Sequence, residues 1–455
     1  MDLRPNSDEA RDIAYHFHSY TNPRVHEEQG PLIMDRGEGI YVFDTQGNRY
    51  IEGMSGLWSV AVGFHEQRLI DAATQQMAKL PYYHNFAHRS HGPAIDLAEK
   101  LIGMAPVPMS KVFFTNSGSE ANDTILKMLW YRSNALGKPE KKKVISRIRG
   151  YHGVTVASAS MTGLPYNHKS FDLPIDGILH TTCPHYWREG RDGESEEDFA
   201  TRCAEDLDAM IQSEGPDTIA AFIAEPLMGA GGVVVPPVTY WEKIQAVLGK
   251  YDILLIADEV ICGFGRTGKM FGSETFDIRP DIMTLSKQIT SSYFPFSAFM
   301  MTEEVYAPIA DEAGRIGVLG HGYTGGAHPV GAAVALENLK IIEERDLVAN
   351  AAERGAELQA GLRGFAGHPH VGEARGVGLI GALEIVAPEG REEGFNPGQL
   401  GAAMNKHFLK NGLISRAMMD AMAFCPPLII TAAQVRDILT AVEQSLEGFA
   451  AEMQV

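Results

Sequence analysis

Apolar and polar positions follow two textures along the middle of this chain. Thr218–Ala224 (TIAAFIA) and Ile253–Ala257 (ILLIA) are continuously apolar, the pattern of strands covered on both faces. Shorter runs predict further strands at Lys111–Phe114, Val144–Arg147 and Ile282–Leu285. Helical spacing separates several of them, over Ser119–Ser133, which opens on a Ser and a Glu, and over Thr239–Leu248. This alternation predicts an α/β fold with a mostly parallel central sheet. From about residue 333 the texture changes. Helical patterns at 333–363 and 398–411 surround a glycine-rich alternating stretch, Gly372–Ile385, that predicts a strand pair in a smaller α+β domain. Near the N-terminus, GIYVFDTQGNRYIEG predicts a hairpin turning at Gln46-Gly47-Asn48. The acidic stretches 186–216 and 387–397 are expected to be solvated surface excursions.

Composition narrows the function classes. The 455 residues are 45% hydrophobic, enough for a large core. The most apolar segment, 218–238, is interrupted by Glu225, Pro226 and glycines, so no membrane span is expected. The charged N-terminus argues against a secretory signal. A net charge of −19 disfavours nucleic acid and anionic membranes as partners. The four cysteines are far apart and form no C-x-x-C pair, which suits reduced thiols in the cytoplasm. The 16 histidines show no metal-type spacing. The pairs His16/His18 and His368/His370 are expected to be surface or turn residues, and no metal is predicted.

Four segments carry candidate chemistry. Asn116-Ser117-Gly118-Ser119-Glu120 follows a strand and opens a helix. Its free N–H groups, its glycine and its two hydroxyls suit a phosphate, and a plain helix cap accounts for it equally well. Asp258-Glu259 ends a buried strand, where ligands bind in open α/β sheets. An Asp there could pair with a cationic ring nitrogen, or form an ion pair with Arg266. Lys287 follows the apolar run IMTL. Partial burial would depress its pKa and free its amine to attack a carbonyl, whereas most lysines at strand ends are simply solvated. Arg416 follows a short apolar strand and could grip a carboxylate or make a structural salt bridge.

Gly263-Phe264-Gly265-Arg266-Thr267-Gly268-Lys269 fits both G-x-G-x-x-G and G-x-x-x-x-G-K. A nucleotide-binding enzyme is therefore an alternative. Position 270 is Met rather than a magnesium-binding Ser or Thr, and no helix pattern comes after it. A loop shaped by glycines fits better.

Taken together, the segments FIAEPLMGAGGVVVPP, ILLIADEVICGFGRTGKMFGSE, DIMTLSKQITSSYFP, NSGSEAN, GYHG, HGYTGGAHPV and CPPLIIT, spread over about residues 30 to 445, resemble the class III aminotransferases in order and spacing. These are fold-type I pyridoxal 5′-phosphate enzymes that include the ω-transaminases. The resemblance implies a large cofactor domain, 61–332, and a small domain formed by both chain ends, 1–60 and 333–455. It implies that Lys287 is the Schiff-base lysine and proton shuttle and that Asp258 partners the pyridinium nitrogen. It places Ser117, Gly118 and Ser119 at the phosphate, with Thr324 reaching it from the other subunit of a homodimer. Tyr151 and Val260 would face the two sides of the ring, with Glu225 nearby. Leu57, Trp58, Phe86, Tyr151 and Arg416 would form the substrate side, where a core position for Trp58 is the competing reading. The implied reaction is ping-pong transfer from an amine or ω-amino acid to a keto acid, pyruvate by expectation. An aminomutase, a decarboxylase and a catalytically silent relative are the alternatives on the same fold. Gln288 and Ala417 depart from the Gly and Pro frequent in the family.

Overall fold

The computed structural model describes residues 4–387 and 394–453. Three sheets organise them. The strands are β1 (Met34–Glu38), β2 (Tyr41–Asp44), β3 (Arg49–Glu52), β4 (Lys111–Thr115), β5 (Lys143–Arg147), β6 (Ile178–Thr181), β7 (Ile219–Ala224), β8 (Leu254–Asp258), β9 (Ile282–Leu285), β10 (Ser297–Met301), β11 (Val371–Val377), β12 (Ile380–Ile385), β13 (Leu413–Ile414), β14 (Arg416–Met418) and β15 (Ala421–Phe424).

The central sheet has seven strands in the order β4-β10-β9-β8-β7-β5-β6. β10 runs antiparallel to both neighbours and the other pairings are parallel. Burial on both faces explains the unbroken apolar runs. Successive side chains of β7 and β8 point to opposite sides, each covered by helices. Ile223 and Ile256 join a cluster with Ile125 and Leu129 of the helix Gly118–Ala135. Phe222 and Leu255 join Phe199 and Leu207 of the helix Glu196–Glu214, and Trp241 of the helix Tyr240–Lys250.

The acidic stretch 186–216 therefore differs from its expected role. It holds a 19-residue helix whose Phe199, Ala200, Cys203, Leu207 and Ile211 are buried against the sheet. Its charges occupy the opposite face and its first turn, where Glu196, Glu197 and Asp198 complement the helix dipole. The density of acidic residues masks the apolar spacing of an amphipathic helix. Of the second acidic stretch, 387–397, residues 388–393 lie outside the described ones.

The two chain ends share a sheet, because β13 pairs in parallel with β3 in the order β1-β2-β3-β13. The predicted hairpin is β2–β3. Its turn rests on Asp44, whose Oδ1 accepts the N–H groups of Gln46 and Asn48, both at 2.9 Å, with Gly47 at φ +84°. The predicted pair within Gly372–Ile385 is β11–β12, in a second four-stranded sheet, β11-β12-β15-β14. Among the described residues no helix is long and apolar enough to cross a membrane.

Phe199→Ala should lower unfolding free energy by about 3–5 kcal/mol. Glu205→Gln, on the exposed face of the same helix, should change it by less than about 0.5 kcal/mol. Urea unfolding of the two variants checks this, and equal small effects would contradict the packed helix.

Candidate active site

The C-terminal ends of the parallel strands converge, and the segments leaving them build the site. Asn116–Ser119 follow β4, Tyr151 and His152 come after β5, Glu225 follows β7, Asp258 ends β8, and Ser286 and Lys287 follow β9. Gly118, Ser119, Tyr151, His152, Gly153, Glu225, Asp258, Val260, Ser286 and Lys287 line one cavity of about 150 Å³.

Asp258 is buried, so its carboxylate needs partners. His152 Nδ1 lies 2.7 Å from its Oδ2 and Asn122 Nδ2 donates to the same oxygen at 3.0 Å. The Val260 N–H donates to Oδ1 at 3.2 Å. Asn122 is itself fixed, donating to the His152 carbonyl at 2.7 Å and accepting from Thr284 Oγ1 at 2.9 Å. The ion pair with Arg266 does not form. That guanidinium donates to the carbonyls of Pro426 and Val60. The neighbouring Glu259 instead accepts from the Gly272 N–H and from the N–H and hydroxyl of Ser273. Its carboxyl is pushed up to about 7 by burial.

The Lys287 amine has no hydrogen-bond or ion-pair partner among the described residues, although its carbonyl accepts the Ser292 N–H at 3.3 Å. Burial lowers its pKa, against the opposing pull of Asp258 and Glu225. Its backbone is left-handed, φ +48°, a conformation that costs roughly 1 kcal/mol or more in a non-glycine residue. The flanking loop is anchored around it. Ser291 Oγ accepts the N–H groups of Ala61 and Val62, and the Tyr293 hydroxyl donates to the Gly63 carbonyl. Gln288 is buried and donates to the carbonyls of Ile261 and Gly263 at 2.9 and 2.8 Å. The departure from glycine at this position thus ties the lysine loop to the segment after Asp258.

Glu225 is buried and accepts the N–H groups of Tyr151 at 3.0 Å and Gly229 at 2.8 Å. Burial raises its pKa and that of the Tyr151 hydroxyl. Ser119 Oγ accepts the Val154 N–H. Ser117 caps the helix by accepting the Glu120 N–H at 3.2 Å and does not line the cavity. A Cβ on Gly118 would come 3.3 Å from Val260, and one on Gly153, whose φ is +138°, would come 2.5 Å from Ser119 Oγ.

Arg416 lines a larger neighbouring cavity, about 770 Å³, with Phe17, Tyr20, Tyr166 and Phe171. No carboxylate among the described residues pairs with it. Leu57 is exposed, whereas Trp58 is buried among Met54, Leu227, Val233 and Ile261. The core reading of Trp58 therefore describes its packing. Phe86 and Thr324 line neither cavity. Phe86 is exposed and packs by Gly322, and Thr324 is exposed beside Tyr82, whose hydroxyl donates to its carbonyl.

Sequence reasoning missed His152 and Asn122. His152 lies inside the quoted GYHG and Asn122 ends the quoted NSGSEAN, but neither was singled out as a site residue. It also missed Glu52, a buried carboxylate that accepts the Gly56 N–H and holds the turn carrying Leu57 and Trp58. The 263–269 loop opens no long helix. Its Gly268, φ +85°, lies where a Cβ would be 3.0 Å from Ala352 of the helix Leu347–Gly364. The glycines there serve packing.

Burial pushes the Glu52 carboxyl up to about 7. The folded chain then holds this proton more tightly than the unfolded chain. Its contribution to stability is full below about 4.5, falls as pH rises through about 7, and is flat above. Glu52→Gln should therefore gain stability relative to the parent at pH 8 over pH 5, by an amount of order 2 kcal/mol. Urea midpoints at the two pH values test this, and a pH-independent difference would contradict it.

Comparison with known proteins agrees with this geometry. The family model "Aminotransferase class-III" matches residues 23–446. Gamma aminobutyrate transaminase 1, mitochondrial, of Solanum lycopersicum is 49% identical over 411 residues, 90% of this chain and 80% of that protein. The ω-transaminase of Pseudomonas jessenii in complex with PMP is 60% identical with a TM-score of 0.97, covering 98% of this chain and 99% of that one. A transaminase solved with L-Ala is 66% identical with a TM-score of 0.92, covering 93% of this chain and 100% of that one.

Proposed function

This chain belongs to the class III aminotransferases, and on that premise we propose that it moves an amino group from an amine or ω-amino acid to a keto acid, pyruvate, in a ping-pong cycle through Lys287. The observation that carries this is the unpaired amine of the half-buried Lys287 in one cavity with a held carboxylate, Asp258. Enzymes of the class use pyridoxal 5′-phosphate, and the cavity's residues fit it. The bare backbone at Gly118 and the helix start behind it suit a phosphate. A side chain on Gly118 or Gly153 would fill the space. When bound, the cofactor supplies a protonated ring that withdraws electrons from the reacting carbon.

The remaining steps belong to the protein. Asp258, oriented by His152 and Asn122, would hold the cofactor at its ring nitrogen and favour a proton there. Tyr151 and Val260 would bracket the ring, and Glu225 holds the Tyr151 backbone in place. Burial lowers the Lys287 pKa, which favours the neutral amine, and Nζ would serve as the nucleophile that holds the cofactor and then as the group that holds and moves a proton beside the substrate carbon. Arg416, free of carboxylate partners among the described residues, would bind the keto-acid carboxylate in one half-reaction. The aromatic wall of Phe17, Tyr20, Tyr166 and Phe171 would take the organic part of the amine in the other. Relatives named as γ-aminobutyrate transaminases and ω-transaminases support a donor whose amine is distant from, or lacks, a carboxylate.

A homodimer in which Thr324 and Phe86 complete the partner's site accounts for their exposed position beside the exposed Tyr82 and Tyr83. A reducing, cytoplasmic setting agrees with four buried cysteines, each a free thiol.

The two half-reactions, measured separately, test this reading. Lys287→Ala should lose both by at least about 10³-fold while binding the cofactor. Arg416→Ala should slow the keto-acid half by roughly 10–100-fold and spare transfer from a carboxylate-free amine. Full turnover by Lys287→Ala without added amines would overturn the assignment.

A further inference from the structure

One cluster of titratable side chains lies outside the machinery described above, in the N-terminal segment. The helix Asp8–Tyr15 ends at His16, which sets Asp12 and His16 one turn apart on one face. His16 Nδ1 is 3.2 Å from Asp12 Oδ1. The chain then folds back, so that His18 Nε2 and His26 Nε2 come to 2.7 and 3.0 Å from Asp12 Oδ2. The imidazoles pack in sequence at a tilt, with His16–His18 and His18–His26 centroids both 4.2 Å apart and interplanar angles of 41° and 39°. The donor atoms of Asp12, His16 and His18 all lie within 4.8 Å of one another. His16 is exposed and His18 half-buried just past the helix end, as expected of surface or turn histidines, but they also converge on Asp12. A helical turn and a reversal bring together positions that look unrelated by spacing, and His26, the fourth member, has a side chain only 11% exposed.

Three imidazole nitrogens and a carboxylate oxygen form a donor set suited to a first-row dication, Zn²⁺ above all. A tetrahedral ion with bonds of about 2.0–2.1 Å sets its ligands about 3.3 Å apart. The three Asp12-to-imidazole separations, 2.7–3.2 Å, would open by a few tenths of an ångström, and His26, which lies outside the 4.8 Å group of Asp12, His16 and His18, would close in as the fourth ligand. Neutral rings would present lone pairs to the ion once their protons shift to the outer nitrogens. The cluster also adjoins the substrate side. Phe17, His18, Tyr20 and Thr21 line the cavity that contains Arg416, and Tyr20 accepts from Asn167 across it at 2.7 Å.

We propose that Asp12, His16, His18 and His26 bind one divalent transition-metal ion, and that this ion clamps the segment forming one wall of the Arg416 cavity. The metal site stands apart from the transamination chemistry and does not depend on it. The test uses the holoenzyme stripped with a chelator, loaded with Zn²⁺ or Co²⁺ and gel-filtered. One ion per chain should be retained, and Co²⁺ should show the visible d–d absorption of a four-coordinate site. D12N and H26Q should each weaken retention by at least about 10-fold. Zn²⁺ should slow tryptic cleavage at Arg11 and Arg24 by a similar factor in the parent and not in H26Q. If a variant misfolds, the Co²⁺ spectrum of the unaltered protein decides alone. No retained ion in the parent, or unchanged retention in a folded H26Q, would overturn the site.

Discussion

A carboxylate at the closed end of a buried strand must be held, and Asp258 sets that requirement for the whole site. His152, Asn122 and the Val260 N–H meet it. Each arrives from a different segment: the loop after β5, the helix after β4, and the turn after β8. Because Asn122 also binds the His152 carbonyl and the Thr284 hydroxyl, holding one charge fixes the relative position of four parallel strands' ends. Removing one partner of such a buried charge leaves the rest uncompensated, so the network stands or falls together.

The second charge in the cavity is treated in the opposite way. The Lys287 amine receives no partner among the described residues, and burial weakens its hold on a proton. Its left-handed backbone and the neighbouring left-handed Ser291 and Ser292 are sustained by bonds to residues 61–66 and by the buried Gln288. A site that pairs its acid and strands its base fits the proton transfer at the lysine that we propose.

Much of this was legible in the residues. The continuous apolar runs marked β7 and β8 because strands covered on both faces need no polar alternation. Asp258 and Lys287 were singled out by the ends of the runs ILLIA and IMTL, whereas the role of Glu225 came from the resemblance. Three features were not legible. The helix Glu196–Glu214 hid its apolar stripe under dense acid residues. The single antiparallel strand β10 comes after the lysine loop with no periodicity that separates it from a parallel neighbour. The Asp12 histidine cluster depends on a chain reversal that spacing alone does not encode. The resemblance carried the roles of Thr324 and Phe86, which one chain by itself places away from the cavity.

The central claim is that Lys287 is the residue that holds the cofactor covalently. Its most direct test is borohydride reduction of the protein loaded with pyridoxal 5′-phosphate, with peptide mass spectrometry of the product. The account predicts a single reduced adduct on the peptide containing Lys287, lost when an amine donor is added before reduction. An adduct confined to another lysine, such as Lys269, or no adduct at all, would contradict it.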